Sequence, residues 1–153
     1  MDGANSHSYF LPPHSFLANE FPLEKVRQRI GYSRRLERLW AFIEEQYSDP
    51  EIHLTDAAKS SGVSPDHLNM LLHRFANTTF HELLSRYRVE KCLGLLYEKN
   101  YTITEVYSRC GFNSATTFDR QFKRWVGCLP SEYKRLIKSS RLQKSTRTAD
   151  AAF

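Results

Sequence analysis

The side chains best equipped for chemistry in this 153-residue sequence are its bases and its thiols, and the bases are unevenly placed. Residues 101–148 hold ten Lys and Arg against three acids, net +7, whereas residues 34–100 come to −1 and residues 1–33 to zero. A positive patch in the C-terminal third suits a polyanion such as nucleic acid. It also suits a merely solvated face, and charge alone does not separate the two. Lys138, Arg141, Lys144 and Arg147 recur at every third position near the end, as a basic stripe extending a helix or as an arm following phosphates. The three cysteines, Cys92, Cys110 and Cys128, contain no C-x-x-C pair, so a disulfide scaffold is not expected. A thiol or metal sensor would require all three to converge in space.

Other chemistry is poorly supported. The six histidines (His7, His14, His53, His67, His73, His81) include no i, i+4 pair, and the chain has no G-x-S-x-G, H-E-x-x-H or phosphate-binding loop. No enzymatic activity and no cofactor are expected. No apolar run approaches the ~18 residues of a membrane span, and Met1-Asp2-Gly3 does not start a signal peptide. The expectation is a cytoplasmic, nucleoid-associated protein with no membrane partner.

The elements that must carry these groups are helical. With 41% apolar residues and only 6 Gly and 6 Pro, the chain can bury a core and is poor material for a turn-dense β-sandwich. Residues 1–33, interrupted by Pro12, Pro13 and Pro22, are read as an arm or linker whose Phe10, Leu11, Phe16, Leu17 and Phe21 follow no sustained period. From Arg34 the period turns helical: Leu36, Leu39, Trp40, Ile43 and Tyr47 form one stripe that ends at Asp49-Pro50. A short helix is expected from about Thr55 to Ser61, with Gly62 as the turn. Ser64 caps the next, Pro65 stands in its first position, and Asn77 closes it. A long helix follows over about Phe80–Glu98. Thr102-x-x-Glu105 is a capping box for another short helix, Gly111 turns, a helix runs from about Ser114 to Val126, and Pro130 starts the last.

The second half repeats the first. Gly62 matches Gly111 at an offset of 49, and Leu68, Leu72 and Asn77 match Phe118, Phe122 and Gly127 at an offset of 50. Each half is a short helix, a Gly turn and a longer helix, the plan of a helix-turn-helix.

These residues carry a family resemblance. The run Ile103–Phe112, then Phe118, Phe122-Lys-Arg, Gly127, Pro130 and Tyr133-Lys-Arg135 at their fixed spacings, resembles the signature of the AraC/XylS family of bacterial transcription regulators. Upstream, Leu54, Ala58, Gly62-Val-Ser-Pro65 and Leu68 resemble its first helix-turn-helix, and Arg88, Cys92 and Leu95-Leu96 its linker helix. The likeness covers about residues 34–137. It implies an all-α fold of about seven helices: a first subdomain with the linker helix at 34–98, a second at 99–137, and a basic tail at 138–153. It also implies that one helix of each unit enters the major groove of promoter DNA, in successive grooves about one turn (~34 Å) apart. Function would be sequence-specific activation of transcription, with RNA polymerase as a partner. Residues 1–33 are too short for an effector-binding domain of the usual family size, so this chain by itself is not expected to sense a small molecule. They leave room for contact with such a domain or another partner protein.

Carried over residue by residue, the resemblance places Asp66, Asn69 and Met70 against bases in the first unit, with His73 and Arg74 further along. The second unit would use Ala115, Thr116, Thr117, Asp119 and Arg120. Asn can pair with adenine, Met can touch a thymine methyl, Asp can accept from cytosine, and Arg120 suits guanine. Ser114, Lys123 and Arg124 are expected on phosphates, which set register without reading sequence. The first recognition helix, with Arg74 against Asp66, is neutral, whereas the second carries +2. Tyr107 and Cys92 stand where the family has small Ala residues. Tyr107 and the uncharged first recognition helix motivate a competing expectation: a helical interaction module with weakened DNA binding that contacts another regulator or RNA polymerase.

Overall fold

The computed structural model describes residues 23–98 and 100–150. Among the described residues eight helices follow one another: α1 (Leu23–Ile30), α2 (Arg34–Gln46), α3 (Leu54–Ser61), α4 (Pro65–Ala76), α5 (Phe80–Glu98), α6 (Ile103–Arg109), α7 (Ala115–Val126) and α8 (Pro130–Asp150). No described residue lies in a strand. The all-α fold expected from the sequence is thus present, with eight described helices where about seven are expected.

Helix α1 corrects the reading of residues 23–33 as part of an arm. Leu23, Val26 and Ile30 recur at i, i+3 and i+7, and α1 buries Val26 and Ile30 in the same core as α2 and α4. The Arg27 guanidinium lies 5.3 Å from the centre of the Trp40 ring, tying α1 to α2. Pro22 ends the unpatterned stretch; the helix begins at the next residue. The apolar side chains Phe10, Leu11, Phe16, Leu17 and Phe21 lie outside the described residues.

Two cores form, and α5 serves both. Phe80, Leu83, Leu84 and Tyr87 close the first core over α1–α4, while Val89, Cys92, Leu93 and Leu96 enter the second with α6, α7 and α8. Each set is an i, i+3, i+4, i+7 stripe, and nine residues separate their starts. At about 100° per residue that displacement is half a turn, so the stripes lie on opposite faces of the helix. α5 therefore carries one unit on each side instead of presenting a single apolar face. In the second core Phe112, Phe118, Phe122 and Tyr133 form a chain of rings, tilted at the first contact and edge to face at the next two, with successive centroids 5.2, 5.5 and 5.7 Å apart. Each such pair contributes about 0.5–1.5 kcal/mol beyond its burial.

The helix ends follow the sequence signals. Ser64 Oγ accepts from the His67 backbone N–H at 3.3 Å, and Ser114 Oγ accepts from that of Thr117 at 3.2 Å. The two serines stand 50 residues apart, the same offset that relates the cores. Thr102 and Glu105 cap α6 reciprocally. Asn77 and Gly127 both adopt the left-handed conformation after α4 and α7. The stretch 138–150, expected as either a helical extension or an arm, continues α8 as helix, with residues 141–147 exposed.

Candidate nucleic-acid interface

α4 and α7 are the second helices of the two units, each opened by a serine cap and held down by a buried stripe. In α4 that stripe is Leu68, Leu72 and Ala76; in α7 it is Phe118, Phe122, Trp125 and Val126. The remaining faces point outward. On α4, Asp66, His73 and Arg74 are exposed, and Met70 is 55% exposed, unusual for so apolar a side chain. On α7, Ala115, Thr116, Arg120, Lys123 and Arg124 are exposed, Thr117 and Asp119 half-buried.

Several of the expected contact residues have intramolecular work that their sequence positions did not reveal. Asn69 is half-buried, and its Oδ1 accepts from the Phe80 backbone N–H at 3.0 Å. Phe80 opens α5, and its N–H is one of the four that a helix start leaves without an internal partner. That bond uses one of the two lone pairs of the oxygen and fixes the side chain toward α5, which constrains the two-bond pairing with adenine. Ser114 uses its lone pair as the α7 cap and donates its proton to Thr117 Oγ1 at 3.0 Å.

Arg124, expected on a phosphate, is ion-paired. Its Nη2 lies 3.0 Å from Glu82 Oε1 of α5, with 49% and 37% of the two side chains exposed, and its guanidinium sits 4.7 Å from the Trp125 ring centre. Glu82 meanwhile exchanges capping bonds with Thr79 at the start of α5, at 3.3 and 3.4 Å. A surface pair of this exposure is worth at most about 1 kcal/mol, so a phosphate can displace it. Arg120 and Lys123 are exposed on α7, as Arg124 is.

The residues that fix α7 to α5 gave no local signal. Ser85 donates to Gln121 Oε1 at 2.6 Å, and Trp125 Nε1 donates to Ser85 Oγ at 3.2 Å. Arg86 lies 5.2 Å from the Trp125 ring centre. Nearer the middle of α5, Arg88 donates from Nε to the Tyr47 carbonyl and from Nη2 to the Asp49 carbonyl, both at 2.8 Å. Burial lowers the Arg88 pKa from its ordinary value, and the Asp49 carboxylate opposes that change.

Tyr107 and Cys92, which the resemblance places at positions of small residues, are accommodated locally. The Tyr107 ring is half-buried and tilted against Phe118, with centroids 5.8 Å apart. Cys92 and Cys110 are buried neighbours in the second core; burial first, and then a hydrogen bond with Cys110, pushes the Cys92 thiol far above its ordinary pKa. Cys128 is partly buried, and burial and Glu132 raise its pKa. Among the described residues no group of three His, Cys, Asp or Glu side chains could hold a metal ion. No described helix is long and apolar enough to cross a membrane.

Two capped helix-turn-helix units on one shared helix define a class, that of the doubled helix-turn-helix proteins. The helix-turn-helix domain family matches residues 57–136, from α3 into α8. The chain belongs to the AraC-type helix-turn-helix family, whose members are DNA-binding transcription regulators. It is 29% identical over 122 residues to an uncharacterised HTH-type transcriptional regulator of Bacillus subtilis, covering 80% of this chain and 42% of that one. It is 34% identical over 82 residues to the urease operon transcriptional activator of Escherichia coli, covering 54% of this chain and 27% of that one. The fold is similar to that of the DNA-binding domain of AdpA, a global transcriptional factor solved in complex with a target DNA. The TM-score there is 0.67 at 23% identity, over 72% of this chain and 99% of that one. The chain spans less than half the length of these curated relatives.

Proposed function

We propose that this chain binds duplex DNA in a sequence-specific manner, laying α4 and α7 in successive major grooves, and that it activates transcription at the promoters it occupies. The observation that carries the reading is the duplication itself. One chain holds two serine-capped second helices, α4 and α7, each with a buried stripe and an outward polar face. A single-unit protein needs a dimer to present two such helices, and a dimer reads a palindrome; two units in one chain read an asymmetric site. The target DNA in the AdpA complex and the activator role of the urease operon relative support the same direction.

The two units contribute unequally in this reading. α7 supplies phosphate anchoring through Lys123 and, once released from Glu82, Arg124, and it supplies Arg120 for a guanine edge. α4, with Asn69 half committed and Met70 exposed, contributes a narrower set of contacts: Asp66, Met70, His73 and Arg74, with a thymine methyl the best match for Met70. RNA polymerase is the partner an activator requires, and an effector-binding partner would act through the chain preceding α2. Selection of bound sequences from a random duplex pool at two salt concentrations tests the reading. It expects a non-palindromic motif of two short blocks. A palindromic motif, or enrichment of no motif at either salt concentration, would overturn it.

A further inference from the structure

The joint between the two units is more than the continuous helix α5. Arg88 sits on α5 between Tyr87, the last residue of the first-core stripe, and Val89, the first of the second. From that position its guanidinium reaches back to the first unit, bonding the Tyr47 and Asp49 carbonyls where α2 ends. The same guanidinium lies 6.0 Å from the ring centre of Phe112, in the turn of the second unit. Gly111 completes the contact. It has φ +85, and a Cβ built on it would collide with the Tyr47 carbonyl oxygen and stand 2.9 Å from Arg88 Nε. The turn of the second helix-turn-helix is therefore seated directly on the end of α2, with Arg88 between them, and any side chain at position 111 would push them apart.

A bare helical joint would leave the angle between the units to the curvature of α5 alone, and long helices are rarely straight. Here a second line of contact, independent of the α5 backbone, ties α2 to the α6–α7 turn. We infer that Arg88 is a positioning residue that sets the distance and angle between α4 and α7, and so the spacing between half-sites that the protein accepts. This rests on the DNA-reading proposal above and adds to it a determinant that touches no base. One inserted base pair moves a half-site by about 3.4 Å and turns it by about 35° around the duplex, a displacement that two rigidly joined helices cannot follow.

The test uses the full chain and duplexes carrying its selected two-block motif with zero, one or two base pairs inserted or removed between the blocks. The parent is expected to lose about tenfold or more in affinity for each one-pair change, the scale of a mismatched contact. Arg88→Met, which keeps the aliphatic stem and removes the donors, is expected to flatten that profile to within about threefold while leaving the preferred bases of each block unchanged. Arg88→Lys, which can still bond one carbonyl, is expected between the two, and carries the comparison alone should Arg88→Met fail to fold. Leu93→Ala, a truncation on the second-core face of α5 that leaves the Arg88 contacts in place, controls for loss of stability and is expected to keep the parental profile. Parental spacing in the Arg88 variants, or equal flattening by Leu93→Ala, would overturn the inference with DNA reading intact. A parent that selects no two-block motif would overturn both.

Discussion

The side-chain oxygen of Asn69 in α4 accepts the backbone N–H of Phe80, 11 residues later, at 3.0 Å. The bond joins the partly exposed face of α4 to the start of the shared helix α5. Asn69→Ala would leave the Phe80 N–H without that partner in a half-buried setting, and the expected loss is about 1–3 kcal/mol of stability. The change should appear as a lower denaturant midpoint with an unaltered slope, and only a small change in the selected motif. A variant of parental stability that loses an adenine preference would show the bond to be dispensable and the base contact dominant.

In the proposed complex Arg120 reads a base and Lys123 anchors a phosphate, and substitution separates the two roles. Arg120→Ala should cost about 1–3 kcal/mol on the preferred site and relax a single base position, whereas Lys123→Ala should weaken all sequences alike and reduce the salt slope by about one. Glu82→Gln tests Arg124 from the opposite side. Removing the carboxylate charge frees the guanidinium for phosphate, so binding should tighten and its salt dependence steepen, with stability falling by at most about 1 kcal/mol. Titrations at several salt concentrations distinguish the three.

Much of this fold is written in short-range pattern. Ser64 and Ser114 as caps, Asn77 and Gly127 as left-handed stops, and the Thr102–Glu105 box mark the helix ends because each acts within four residues of its own position. α1 is not legible in the sequence because its eight residues follow a stretch broken by three prolines and are too few to set a sustained period. The contacts that orient the units escaped for another reason. Arg88 to Tyr47, Ser85 to Gln121 and Glu82 to Arg124 join residues 41, 36 and 42 positions apart, and periodicity carries no information about such pairs. The exposed bases of α7 were legible as charge; the commitment of Asn69 and Arg124 to α5 was not.

Tyr107 fills space against Phe118. Tyr107→Ala is therefore expected to open a gap in the second core and cost about 1–3 kcal/mol, less than the ~3–5 of a fully buried ring. The preferred bases of the second block should stay the same. Thermal unfolding together with a repeated selection checks both parts, and a stable variant with an altered motif would place the residue in control of helix tilt instead.

The α6 cap gives the fold an acid-sensitive element. Hydrogen bonds from the Thr102 backbone and hydroxyl hold the Glu105 carboxyl below its ordinary pKa. A depressed carboxylate stabilises the fold above its unfolded pKa of about 4.3, and that contribution disappears as pH falls through the lower folded value. Stability measured between pH 6 and pH 3 should therefore fall less steeply in Glu105→Gln than in the parent. Parallel profiles would show that the cap does not contribute.

Hydroxyl-radical footprinting of the full chain on its selected duplex tests most directly whether one chain reads two grooves. Two protected patches on one face of the duplex, about one helical turn (~34 Å) apart and unequal in strength, are predicted at a stoichiometry of one chain per site. The stronger patch should weaken in Lys123→Ala. A single protected patch, or two equal patches related by two-fold symmetry with two chains bound, would contradict the account.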